Sequence, residues 1–172
     1  MREPDTATLN VGSAEQMQVL GRAIAAAVEA TEGTFIIALE GELGAGKTTL
    51  VGGILRSYGV TDPVRSPTYT LIEPYETPSR AIYHLDLYRL TDPDEVEPLG
   101  IRDLLAGSAL LLIEWPSRAA GSIPAADLQV DIAYPPAGTE GRRIRLTPHS
   151  LNGANAVRHI VAAIPELRQL SA

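Results

Sequence analysis

Gly41-Glu42-Leu43-Gly44-Ala45-Gly46-Lys47-Thr48 matches G-x-x-x-x-G-K-[ST] at every fixed position. In that pattern the glycines let the backbone turn tightly and aim successive N–H groups at an anion. A lysine at position 47 reaches the outer phosphates, and a threonine hydroxyl at 48 is offered to Mg²⁺. A helix opening directly after the loop adds its positive end to the same anion. Lys47 is the single lysine among 14 basic residues. Everywhere else the chain uses arginine; here it uses a compact, mobile ammonium. The expected chemistry is capture of a nucleoside triphosphate.

Such a loop needs an acid for the metal, normally at the end of a neighbouring strand. Two residues qualify. Glu114 closes the apolar run Ala109-Leu110-Leu111-Leu112-Ile113, and Asp86 follows the more polar Ile82-Tyr83-His84-Leu85. Glu114 is the better match for the Mg²⁺ partner, through water. Asp86 then positions the attacking water or accepts its proton, although the two roles remain exchangeable at this stage. Ser66-Pro67-Thr68 lies where a loop sensing the γ-phosphate is expected, which makes Thr68 a candidate contact. A turn that only sets up the next strand explains it equally well. Trp115, the only tryptophan, adjoins Glu114 and is placed at the mouth of the site.

The elements that must hold these residues follow from periodicity. Thr8–Val11 reads as a short strand, and Ser13-Ala14-Glu15-Gln16 as a capping box before a helix to about Ala30. Phe35–Leu39 reads as a strand buried on both faces, leading into the glycine-rich turn Gly41–Thr48. A helix from Thr49 to about Tyr58 follows. Tyr69–Ile72 and Ala81–Leu87 read as strands. Asp92-Pro93 reads as a helix start, Ile101–Leu105 as a short helix and Ala109–Glu114 as a buried strand. Leu128–Tyr134 and Arg142–Leu146 suit a hairpin, and a last helix spans about Asn152 to Leu167, with Pro165 expected to end it early. The pattern predicts one α/β domain over residues 1–172: a three-layer fold of the P-loop NTPase type with a mixed, mainly parallel sheet and an antiparallel C-terminal strand pair.

Composition narrows the classes. The 172 residues are 45% hydrophobic and 20% charged, with no cysteine. A disulfide scaffold, a zinc knuckle and a thiol nucleophile are thereby excluded. No apolar run approaches the roughly 18–20 residues a membrane span needs, and MREPDTATLN has no apolar signal core. A cytoplasmic protein without membrane or DNA contacts is the expectation. A net charge of −7 disfavours a wide electrostatic grip on nucleic acid and leaves room for a protein partner or for a nucleotide held at one local site.

The blocks GELGAGKTTL (41–50), SPTYTLIEPY (66–75), HLDLYRL (84–90), Leu99-Gly100 and Glu114-Trp115-Pro116 occur in one order and spacing. Over about residues 9–147 the chain closely resembles the TsaE (YjeE) family, bacterial P-loop ATPases of tRNA threonylcarbamoyladenosine biosynthesis. The resemblance implies ATP hydrolysis to ADP that is slow in isolation and coupled to a TsaB–TsaD complex, which performs the transfer to tRNA. It assigns phosphate contacts to Gly44–Thr49, Mg²⁺ to Thr48 and Glu114, hydrolysis to Asp86, and a place near the nucleotide to Trp115. Many relatives have a threonine in the opening turn of the first helix, where this chain reads Glu15-Gln16-Met17.

Two other readings compete. In a small-molecule kinase, Arg142, Arg143 and Arg145 would form a lid over the phosphates. In a nucleotide-gated binding module, ATP would select a docking conformation without turnover. A translation-type GTPase is disfavoured, because its base-reading motif needs a lysine and the only one is already in the loop.

Overall fold

A computed structural model describes residues 5–168. Seven strands form one sheet in the order β1-β7-β6-β2-β5-β4-β3. The strands are β1 (Ala7–Val11), β2 (Phe35–Gly41), β3 (Ile72–Glu76), β4 (Ala81–Asp86), β5 (Leu110–Glu114), β6 (Leu128–Ala133) and β7 (Arg142–Pro148). The four central ones, β6, β2, β5 and β4, are mutually parallel. Antiparallel strands flank them on both sides: β7 and β1 beyond β6, and β3 beyond β4. The expected α/β class, the mixed sheet and the β6–β7 antiparallel pair are all present. The same β6 is also a parallel neighbour of β2.

The central strands are apolar because both faces are covered. Phe35, Ile37 and Leu39 of β2, with Leu110 and Leu112 of β5, enter one core. Ile36, Leu111 and Ile113 alternate into a second core on the opposite face. Removing each such side chain from water contributes about 1.5–3 kcal/mol. The first face is covered by α1 (Ala14–Glu29), α2 (Lys47–Ser57) and α4 (Leu151–Ala163). The second is covered over β4 and β5 by the short α3 (Ile101–Leu104) and by 3₁₀ segments at Pro93–Leu99 and Pro116–Ala119.

Helix α1 starts where expected: the Ser13 hydroxyl accepts from the Gln16 amide at 3.1 Å. It packs on α2 at an unusually close crossing. A Cβ at Gly21 would stand 2.8 Å from the backbone carbon of Gly53. The Asp92 start is also present as a capping box, but the turns after it are 3₁₀. Helix α4 ends at Ala163 and Pro165 opens a separate 3₁₀ turn, as proline requires.

Two boundaries differ from expectation. Helix α2 begins at Lys47, inside the glycine-rich motif, and not at Thr49. Tyr69 and Thr70 lie in a turn, and the strand starts at Ile72. There the Leu71 amide donates back to Pro67 O at 2.8 Å, and Leu71 takes φ = 64°. A local turn anchored on Ser66-Pro67 overrides the strand propensity of Tyr-Thr-Leu. Among the described residues no helix is long and apolar enough to cross a membrane.

Candidate functional site

The carboxyl ends of β2, β4 and β5 meet at one edge of the parallel core, the usual place for a ligand crevice in such sheets. From β2 the chain turns through Gly41–Gly46 into α2. Gly46 sits at the helix N-cap with φ = 116°, a left-handed conformation in which a Cβ would be strained. The first helical residue is Lys47, so the positive N-terminal end of α2 opens directly from the loop.

Lys47 is buried. Its ammonium donates to Gly41 O at 2.5 Å and Glu42 O at 2.9 Å, and it lies 4.2 Å from the centre of the Trp115 ring. Two of its three protons are thus spent on the loop, leaving one to present outward. Burial pushes the Lys47 pKa below the ordinary lysine value, while the carboxylates of Glu114, Glu40 and Asp86 pull it upward. Gly41 and Glu42 therefore support the lysine from beneath through their carbonyls and do not line the cleft.

Register places Asp86 directly opposite Glu114 on the parallel pair β4–β5. The Thr48 hydroxyl donates to Glu114 Oε1 at 2.9 Å. His84 Nε2, fully buried, is 2.8 Å from the same oxygen. Asp86 is held on both oxygens: the Tyr88 amide donates to Oδ1 at 2.9 Å, and the Ser66 hydroxyl donates to Oδ2. Trp115 follows Glu114 at φ = 59°, a strained left-handed turn that swings the indole back beside the lysine. Tyr88 packs on the indole at 5.0 Å between ring centres.

Lys47, Thr48, Ser66, Asp86, Glu114 and Trp115 line a cleft of about 340 Å³ that also includes Leu43, Gly44, Thr49, Thr68 and Tyr88. A second cleft of about 270 Å³ adjoins it across Gly44, Gly46 and Thr49. Its walls come from Val11–Ala14 and Met17 on one side, and from Glu140–Arg142 on the other. Ala45 belongs to this second cleft. The departure at Glu15-Gln16-Met17 is visible here: Met17 forms wall, and Gln16 accepts from the Gly12 amide at 2.6 Å.

The three arginines proposed for a lid do not form one. Arg142 Nε donates to Ala45 O at 2.9 Å, and its guanidinium rests 4.2 Å from the Tyr134 ring centre. Arg143 and Arg145 are exposed and line neither cleft. Sequence reasoning missed the support residues. Arg142 as a brace of the loop, His84 against Glu114, and Ser66 on Asp86 depend on partners distant in the chain. Ser66 carried a signal through its neighbour Thr68, and Arg142 only as a lid candidate.

The donor set suits magnesium held with a nucleotide. Among the described residues no group of three His, Asp or Glu could hold a metal alone. Mg²⁺ characteristically takes one or two protein oxygens and completes its shell with phosphates and water. A Thr48 hydroxyl already joined to the Glu114 carboxylate matches that need.

Over most of its length the chain is similar to known proteins. Residues 11–144 match the family model described as "Threonylcarbamoyl adenosine biosynthesis protein TsaE". The chain is 44% identical over 127 residues to the tRNA threonylcarbamoyladenosine biosynthesis protein TsaE of Haemophilus influenzae, covering 74% of this chain and 78% of that one. It is 38% identical to the protein of the same name from Bacillus subtilis, covering 65% and 68%. A crystal structure of Bacillus subtilis YdiB superposes with a TM-score of 0.77 over 94% of this chain and 98% of that one, at 24% identity, and so shares the fold. The chain belongs to the TsaE family of threonylcarbamoyl adenosine biosynthesis proteins.

Proposed function

We propose that this protein is a magnesium-dependent ATPase that supports formation of threonylcarbamoyladenosine in tRNA by acting on a TsaB–TsaD complex. The observation that carries the reading is the Thr48–Glu114 hydrogen bond at the open end of a glycine loop whose lysine is already poised. The names of the relatives supply the pathway. A net charge of −7 favours a protein partner over direct tRNA contact.

Each residue then has a task. Loop amides of Gly44 and of Gly46 to Thr49 cradle the β- and γ-phosphates, the Ala45 amide being held by Glu42 O at 3.1 Å, and the remaining Lys47 proton bridges them. Thr48 and Glu114 hold the metal side, Glu114 through water. Bound magnesium would neutralise charge developing on the phosphoryl oxygens. Both oxygens of Asp86 already accept a hydrogen bond, and each retains a lone pair to orient water on the γ-phosphorus. Water adds as the bond to the β-bridging oxygen breaks, giving ADP and inorganic phosphate. Thr68 lines the same cleft and is placed to close on the terminal phosphate. Trp115 shields the lysine, and the second cleft is sized for the nucleoside end.

The test is ATPase activity titrated against the TsaB–TsaD pair with tRNA. Phosphate release that rises with the pair supports the reading. Phosphate appearing on an acceptor would mark a kinase. Binding without release in the full mixture would mark a nucleotide-gated module.

A further inference from the structure

His84 is a buried polar group to which the reading above gives no task. It sits on β4 between Ile82 and Asp86, on the face that carries Glu114, and its side chain is wholly removed from solvent. Burying an imidazole among Ile and Leu costs free energy unless its nitrogens find partners. Nε2 finds one, Glu114 Oε1 at 2.8 Å; Nδ1 has none among the described residues. A packing residue at this position has no need of nitrogen at all.

The geometry around Glu114 shows what the ring contributes. Oε1 receives both Thr48 Oγ1 and His84 Nε2. Oε2 makes no hydrogen bond among the described residues, and Glu114 lines the cleft. Thr48 alone would let the carboxylate pivot about one contact. The second donor, arriving from the core side, fixes its plane and leaves Oε2 free toward the cleft. Donors that orient a metal-side ligand from behind in this manner typically change metal affinity 10–100-fold when removed.

We infer that His84 is a positioning residue: its Nε2–H locks the Glu114 carboxylate so that Oε2 meets the water shell of a magnesium–nucleotide complex. The inference rests on the proposed magnesium-nucleotide role of Thr48 and Glu114.

The test measures ADP affinity calorimetrically, in EDTA and in saturating magnesium, for the natural chain, His84→Leu and His84→Gln. The leucine keeps the volume and loses the donor; the glutamine returns an N–H near Nε2. Equal affinity of all three in EDTA is expected. The gain conferred by magnesium should shrink about 10–100-fold in His84→Leu and largely recover in His84→Gln. An undiminished gain in His84→Leu overturns the inference, as does an equal loss in EDTA and magnesium, which marks a merely structural role. Absence of any magnesium gain in the natural chain defeats the underlying site reading, and the inference with it.

A second measurement needs no variant. His149 and His159 are exposed, so the exchange-protected histidine ring N–H belongs to His84. Its proton resonance should move when magnesium is added to the ADP complex; a resonance that stays fixed overturns the inference.

Discussion

The Lys47 ammonium lies 4.2 Å from the centre of the Trp115 indole, and both residues line the cleft that the glycine loop encloses. A cation over an indole is stabilised by about 0.5–2 kcal/mol, more as water is excluded. Trp115 is also the only tryptophan, so the emission reports on this one place in the molecule. Adding ADP or ATP should shift that emission as phosphate charge arrives beside the ammonium held on the indole, and Lys47→Ala should abolish both the shift and the binding. Trp115→Phe should bind within a fewfold of the natural chain, and Trp115→Ala more weakly by roughly 2–30-fold. Nucleotide binding without change in emission would place the phosphates elsewhere.

The two acids predict separable losses. Glu114→Gln and Asp86→Asn should lower turnover by about 100-fold or more, measured as phosphate release with TsaB–TsaD and tRNA; Asp86→Asn should keep its nucleotide affinity, whereas Glu114→Gln should lose the part of it that magnesium confers. Glu114→Gln should also raise the magnesium needed for half-maximal rate; Asp86→Asn should not. Ser66→Ala removes one of two hydrogen bonds on Asp86 and should lower turnover by about tenfold at unchanged affinity. Full activity in either acid variant would remove its assigned role.

How much of this was legible in the sequence depends on how local each cause is. The glycine loop is a contiguous code, and β2 and β5 are continuous apolar runs because helices and 3₁₀ segments cover both their faces. Helix α1 announced itself through Ser13. The segment at Tyr69–Thr70 misled because aromatic and β-branched residues favour strands, whereas the Pro67–Leu71 turn decides the backbone. β3 was obscured by Pro74, which an edge strand tolerates. His84 was illegible as a site residue, and Arg142, legible only as a lid candidate, was illegible as a brace of the loop. Their partners, Glu114 and the Ala45 carbonyl, are brought near only by sheet order.

Arg142 braces the outer side of the phosphate loop. Its guanidinium occupies the carbonyls of Ala45 and Gly44, at 2.9 and 3.4 Å, and so ties the loop to the start of β7. Arg142→Ala should weaken ADP binding by about 3–30-fold, the worth of one or two charged hydrogen bonds. Arg142→Lys should recover little, because a point donor cannot span both carbonyls and stack on Tyr134. Unchanged affinity in Arg142→Ala would show that the loop holds its shape unaided.

Far from the site, Tyr58 predicts an alkaline signature. Burial, and next the neighbouring Glu29 carboxylate, raise its phenol above the ordinary value of 10.0. A raised folded pKa means the native state holds this proton more tightly than the unfolded chain. The stabilisation is complete below about pH 10 and is lost as pH climbs from there toward the folded value. Urea unfolding between about pH 9 and about pH 11 should therefore show stability declining more steeply in the natural chain than in Tyr58→Phe. Parallel profiles would mean that the phenol titrates normally.

The crossing of α1 and α2 predicts a pure packing effect. A Cβ at Gly21 would meet the backbone carbon and nitrogen of Gly53 and Ile54 at 2.8 Å, where rigid main chain cannot give way as a side-chain tip would. Overpacking of this kind costs about 1–3 kcal/mol. Gly21→Ala should thus lower Tm by roughly 2–12 °C for a chain of this length, despite the higher helix propensity of alanine. Because α2 starts at Lys47, any outward shift of its axis also moves the phosphate loop. Nucleotide affinity should therefore fall together with Tm. A Gly21→Ala chain that is more stable than the natural one would show that the helices can part without cost, and that propensity governs this position.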